Sequence, residues 1–171
     1  MNLLTQIARL LVSVTFIFSG FVKLVDPLGS AYKFEEYFGA DVLNLEFLSP
    51  YALQFSVLLI LAEIMLGVML LVGYLPKLTV WSLFAISLLF LFLTWYSAYY
   101  NKVTDCGCFG DAITLTPWET FYKNVILIFL VVFLVVRVHD IQPLRSEVLA
   151  RRISLLSFLV FVGIIIYVLR Y

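Results

Sequence analysis

Apolar residues run along this chain in five stretches of roughly twenty, separated by short polar breaks. About twenty helical residues are needed to cross a hydrocarbon layer of about 30 Å. The first stretch runs from Thr5 to Val25, with Arg9 near one end, Lys23 and Asp26 near the other, and Pro27 as its stop. Lys23 is near enough to that end to snorkel toward headgroups. The second runs from Tyr51 to Leu75 and carries Glu63 near its midpoint, then Gly67 and Gly73. A turn at Gly73-Tyr74-Leu75-Pro76-Lys77 leads into the third, Leu78 to Tyr100, which holds no charge and ends in Trp95, Tyr96, Tyr99 and Tyr100. Such aromatic ends suit an interfacial belt. Thr116-Pro117-Trp118-Glu119 predicts a helix start, with Thr116 as N-cap, Pro117 as first helical residue and Glu119 as capping-box acid. That fourth span continues to Val138, and a polar stretch from His139 to Arg152 separates it from a fifth, Ile153 to Leu169.

Between Asp26 and Pro50 the pattern is mixed. Phe34, Tyr37 and Phe38 fall at helical spacing before Gly39, which reads as a stop. This stripe fits an amphipathic helix lying in the interface, and equally an ordered segment packed on the bundle.

Composition strengthens the membrane reading. Of the 171 residues 64% are hydrophobic and 13% charged, where a soluble domain is about half apolar and about a quarter charged. The mean hydropathy is +1.09. Eleven basic and eleven acidic residues cancel, which leaves no basic footprint for nucleic acid. The N-terminus lacks a basic cluster and a clear cleavage site, so the first stretch is expected to be a permanent helix. With the N-terminus inside, the inner side collects Arg9, Lys77, Arg137, Arg145, Arg151 and Arg152. The outer side collects Lys23, Lys33, Lys102, Lys123 and Arg170. This bias puts the N-terminus in the cytoplasm and the break between the third and fourth spans outside.

That break, Asn101 to Pro117, holds both cysteines of the chain, Cys106 and Cys108. In an oxidising compartment paired thiols tend to be disulfides. A Cys-x-Cys bridge closes a very small ring under strain, and strained, exposed bridges are the labile ones. As a staple it would gain little, because so short a loop costs little to close. Three other readings stand beside redox activity. The cysteines are small buried hydrophobes, or stay reduced and pair with another protein, or hold a metal, for which two sulfurs without a nearby histidine make a poor zinc site. Lys102, Lys123 and the start of the fourth helix favour a thiolate, whereas Asp105 and Asp111 oppose it. No metal site is expected.

Glu63 is the second candidate. A carboxylate at mid-membrane normally faces the bundle interior with a partner, or marks a proton or substrate path. Lys23, Ser19, Thr15 or a backbone group are the candidate partners, and a protonated, hydrogen-bonded structural glutamate is the competing reading. Ser19-Gly20 and Gly67 suit close helix packing. Trp95, Tyr99, Phe109 and Trp118 are candidates for a flat quinone pocket beside the cysteines, and equally for an interfacial belt. His139 is the only histidine and is assigned no function.

Arg9, Phe18-Ser19-Gly20, Lys23 and Asp26-Pro27 together resemble the first helix of the DoxX-like membrane proteins. Glu63, Gly67 and Leu70-Leu71-Val72-Gly73 are similar to their second helix. Cys106-Gly107-Cys108-Phe109-Gly110 resembles the loop of the related MauE branch, associated with methylamine utilisation. The resemblance covers Thr5 to Val138. It implies a four-helix membrane bundle, broadly similar to quinone-linked disulfide-forming proteins, that helps disulfide formation in exported proteins. Cys106 and Cys108 would then be the redox pair. The quinone-linked oxidases usually carry Cys-x-x-Cys and a second cysteine pair, whereas this chain has one pair. A relay to quinone therefore needs direct contact or a thioredoxin-like partner.

The expected architecture is an all-α polytopic membrane bundle. Residues 1–138 form the DoxX/MauE-like four-helix domain with an external cysteine loop at 101–117, and residues 139–171 form a cytoplasmic linker and a fifth transmembrane helix. The leading functional expectation is a bacterial inner-membrane thiol–disulfide protein. It would pass electrons from a periplasmic thiol partner to a membrane quinone. A non-catalytic assembly or anchoring subunit is the alternative, and a small transporter built on Glu63 and Lys23 is the third.

Overall fold

All five apolar stretches are helices in the computed structural model, which describes residues 2–101 and 115–171. The elements are α1 (Leu3–Val25), α2 (Pro27–Phe38), α3 (Ala52–Val72), α4 (Pro76–Tyr100), α5 (Pro117–Val136) and α6 (Glu147–Arg170). A 3-10 turn, Glu46–Tyr51, leads into α3, and another, Val138–Asp140, follows α5. The described residues contain no strand. All helices but α2 are long and apolar enough to cross a bilayer, so this is a multi-pass membrane protein.

The helix ends follow local chemistry. Proline occupies the first turn of α2, α4 and α5, where its missing N–H costs no hydrogen bond. At α5 the capping box forms: the Glu119 backbone N–H donates to Thr116 Oγ1 at 3.3 Å, and Glu119 Oε2 accepts from the Thr116 N–H at 2.8 Å. Gly73 ends α3 at φ +76, and its N–H donates to the Met69 and Leu70 carbonyls. A Cβ there would run into the Gln142 carbonyl oxygen, so two physical demands converge on glycine.

The last helix begins earlier than its hydropathy suggests. Ser146 caps it by accepting from the Leu149 N–H at 3.1 Å. The charged residues from Glu147 to Arg152 are therefore its first turns and not part of the preceding linker. The linker also packs. Ile141 is buried in the bundle core, and the Leu144 N–H donates to the Val72 carbonyl at 3.1 Å.

Buried residues recur at three- and four-residue intervals along α1 and α3, with small ones among them. On α1 the stripe includes Thr5, Ala8, Val12, Phe16, Ser19 and Lys23. On α3 it is Ala52, Ser56, Ile60, Glu63, Gly67 and Leu70. A Cβ at Gly67 would lie 3.0 Å from the Ser13 carbonyl oxygen and 2.7 Å from Ile17 Cγ1, so glycine sets the spacing of α1 and α3. The two helices run antiparallel, with Leu24 near Ile60 and Arg9 near Leu70. The pair α4 and α5 pack along their length, with Val80, Leu83, Leu127, Val131 and Leu134 in the main core.

The stripe of α2 packs inward. Tyr37 and Phe38 are buried, and Phe38 meets the Phe55 ring edge-on at 5.7 Å. Tyr96 Oη donates to the Val42 carbonyl at 2.8 Å, tying the end of α4 to the segment after α2. The last helix, α6, lies against α3 and buries Ile165 beside Leu24, Ile60 and Ile64. Most of its remaining apolar surface is exposed, as suits a lipid-facing helix.

Candidate functional site

Alternation of the spans gathers four helix ends at one face, the C-termini of α1 and α4 and the N-termini of α3 and α5, with α2 between them. Cys106, Cys108 and Phe109 belong to the connection at this face and lie outside the described residues. Its two anchors are described. Asn101 ends α4 in the left-handed region at φ 51, a conformation asparagine tolerates. The Thr116 capping box starts α5.

Between these ends and the middle of the bundle lies a buried ionic cluster. Glu63 has no solvent exposure and Lys23 retains 4%. Lys23 Nζ donates to Glu63 Oε2 at 3.0 Å, to Glu63 Oε1 at 3.3 Å and to Ser19 Oγ at 2.7 Å. Ser19 Oγ donates to Glu63 Oε2 at 3.4 Å. The ammonium also lies 5.5 Å from the centre of the Phe90 ring, within cation–π range. The sequence places Lys23 one turn after Ser19 on α1, so both reach the same carboxylate. Gly20 lets α3 approach, since a Cβ there would meet Ile64 Cγ1 at 2.5 Å and Glu63 Cβ at 3.3 Å. Of the candidate partners for Glu63, Lys23 and Ser19 bond it directly, while Thr15 lines the cleft beside it.

Two narrow clefts meet at this cluster. The first is lined by Lys23, with Ser30, Lys33, Phe34 and Tyr37 of α2, Leu59 of α3, and Phe90, Leu93 and Thr94 of α4. The second is lined by Glu63 and Ser19, with Thr15 and Phe16 of α1, Phe90 of α4, and Lys123, Asn124 and Leu127 of α5. Phe90 borders both. Asn124 Nδ2 donates to Thr94 Oγ1 at 3.3 Å, holding α4 to α5 beside the second cleft. The sequence marks Lys123 as an outer-side charge near the cysteines and gives no such mark to Asn124. The signal was present, because Thr120, Asn124, Leu127, Val131 and Leu134 follow the spacing of one helix face and all are buried.

The aromatic candidates stand apart from this cluster. Trp95, Tyr99 and Trp118 are 40%, 63% and 46% exposed. Trp95 stacks on Tyr99 at 5.6 Å, while Trp118 neighbours Phe121 and Tyr122 on its own helix. These rings form ladders on the surface of the bundle. Among the described residues no three His, Cys, Asp or Glu side chains gather in a way that would hold a metal.

Arg9 has a role beyond its charge. Its guanidinium donates to the Leu70 and Leu71 carbonyls at 2.7 Å each, and to the Gln142 carbonyl at 3.0 Å. It thus satisfies the C-terminal carbonyls of α3, which the helix cannot pair itself, and ties the α5–α6 linker to them.

The family model for methylamine utilisation protein MauE matches residues 1–137. Protein TlpB of Flavobacterium psychrophilum is 33% identical over 132 residues, covering 74% of this chain and 35% of TlpB. The chain therefore spans about a third of the length of that relative. No solved structure matches it. The family match runs from α1 through the end of α5 and takes in every helix that lines the two clefts; the chain belongs to the MauE family of integral membrane proteins.

Proposed function

We propose that this protein is a membrane thiol–disulfide redox protein whose working pair is Cys106 and Cys108. The observation that carries the reading is the position of the pair within a membrane protein of the MauE family. Both cysteines lie in the short connection between α4 and α5, whose ends are fixed at one face of a rigid bundle. In the proposed cycle a dithiol partner attacks the Cys106–Cys108 disulfide. The partner leaves as a disulfide, and the pair becomes two thiols. A membrane quinone then accepts two electrons and two protons, leaving as quinol, and the Cys106–Cys108 bond re-forms. The excess of arginine and lysine around the Arg9 face orients that face to the cytoplasm and the cysteines to the periplasm of a bacterial inner membrane. The dithiol partner is then a periplasmic, thioredoxin-like or substrate protein.

The test is alkylation of free thiols in native membranes before and after graded reduction. The expected result is a bridge that opens at mild potential and re-forms on quinone addition, with loss of turnover when either cysteine becomes serine. Thiols that stay reduced and unreactive, or turnover retained by the double serine variant, would refute it.

A second reading, a membrane-anchoring subunit, is favoured by the much greater length of TlpB, of which this chain matches 35%. It predicts stable co-purification with a partner and indifference to loss of the cysteines.

A further inference from the structure

We infer that Lys23 and Glu63 form a proton-exchange site joining the two clefts, so that protons pass between the face holding the cysteine connection and the middle of the bundle. Three observations carry this. The first is the cost of the pair. Charges taken out of water lose several kcal/mol each, and a buried ion pair is often no more stabilising than apolar residues of the same volume. An ionisable residue kept inside a membrane is a functional feature by default. The second is position. Lys23 forms part of the first cleft and Glu63 part of the second, with a contact of 3.0 Å between them. The pair, with Phe90, therefore stands where the two clefts adjoin. The third is size: each cleft has room for water and not for a ring. Water and protons are the species that fit.

The step balances within the pair. The Lys23 ammonium transfers a proton to the Glu63 carboxylate, giving a neutral amine and a carboxylic acid. Glu63 releases that proton to water in the second cleft. Lys23 takes a new one from the first cleft, which reaches the partly exposed Lys33 on α2. In apolar surroundings the charged and neutral forms of such a pair lie closer in free energy than in water. Ser19 bonds both partners and holds them aligned. The charged groups facing the pair are Lys123 from α5 and Lys33 from α2, while α4 offers Phe90 and Thr94 and α6 only apolar contact through Ile165. What consumes the proton rests on the redox reading above: a quinone must take up two protons with its two electrons. The exchange itself does not depend on that reading.

The test uses the full chain in lipid bilayers, with carbon-13 glutamate and nitrogen-15 lysine followed by solid-state NMR. The buried pair is recognised by its nitrogen–carboxyl proximity and by its absence in Glu63→Gln. Carboxyl and amine signals that change together with pH support the proposal. A pair that stays ionised throughout the pH range of the folded protein overturns it. Lys23→Arg supplies a variant expected to fold, because it keeps the cation but cannot release a proton. In Lys23→Arg, quinone reduction should slow on the order of 100-fold, as when a positioned proton-transfer group is lost, while disulfide exchange at the cysteines is unchanged. Full quinone reduction in Lys23→Arg would overturn the delivery of these protons to quinone, and the NMR titration decides the exchange itself. Cysteines inert in the wild-type chain would sink the redox reading alone, and the NMR titration would still decide the proton site.

Discussion

Replacing Arg9 by leucine should destabilise the bundle by about 3 kcal/mol. The guanidinium makes two bonds of 2.7 Å, to the Leu70 and Leu71 carbonyls, and one of 3.0 Å to the Gln142 carbonyl. A hydrogen bond to a charged group contributes about 1.5–3 kcal/mol net, and a buried acceptor left without a partner loses a similar amount. The two short bonds alone would then sum to between about 3 and 6 kcal/mol. The lower figure is the better one, because the Leu70 carbonyl keeps the Gly73 N–H at 3.3 Å. Arg9→Lys should lose about half as much, since one ammonium cannot reach all three carbonyls as the planar fork does. The assay is detergent-driven unfolding of the purified chain in mixed micelles, followed by helicity. Limited proteolysis between Gln142 and Glu147 reports the local part, and cleavage should accelerate in both variants. An Arg9→Leu chain within about 0.5 kcal/mol of wild type, the range of ordinary surface substitutions, would refute the assignment of Arg9 as a clamp.

Two further outcomes follow from the packing of α1 on α3. Lys23→Met strands the Glu63 carboxylate and should cost about 3 kcal/mol, whereas the double variant with Glu63→Met should return to within about 1 kcal/mol of wild type; equal losses in single and double variants, read by the same unfolding assay, would contradict this. Gly67→Val pushes side-chain atoms against the Ser13 backbone oxygen and should cost about 2–3 kcal/mol through overpacking, measured as an earlier unfolding midpoint; an unchanged midpoint would mean that α1 and α3 can separate freely.

The spans are legible in the sequence because lipid leaves no alternative: every backbone polar group must be paired within the segment, so a long apolar run becomes a helix. Thr116, Pro117 and Glu119 show their cap chemistry openly, and the structure forms it as expected. The partner of Glu63 is legible for the same energetic reason, since a carboxylate in hydrocarbon needs a cation and Lys23 lies near enough on the neighbouring span. Arg9 was harder to read. Its hydrogen-bond acceptors are backbone carbonyls 61 to 133 residues away, which carry no side-chain signature. The start of α6 was hidden as well, because hydropathy reports where a helix enters lipid and not where the Ser146 cap begins it. The stripe of α2 fits a membrane interface and a protein groove equally well, and only the presence of Phe55 and Leu93 opposite it decides for the groove.

The distribution of polar residues among the helices separates the site from its frame. Thr15, Ser19 and Lys23 come from α1, Ser30 and Lys33 from α2, Glu63 from α3, Thr94 from α4, and Lys123 and Asn124 from α5. Each of the first five helices thus places at least one polar group at the clefts, whereas α6 touches the outside of α3 through Ile165. The family match covers the same division, ending at residue 137, just after α5. The polar groups that line the clefts thus come from every helix the family match covers and none comes from α6. Under the proton-exchange proposal this convergence around Lys23 and Glu63 is what the site asks of the first five helices, while α6 keeps most of its apolar surface exposed.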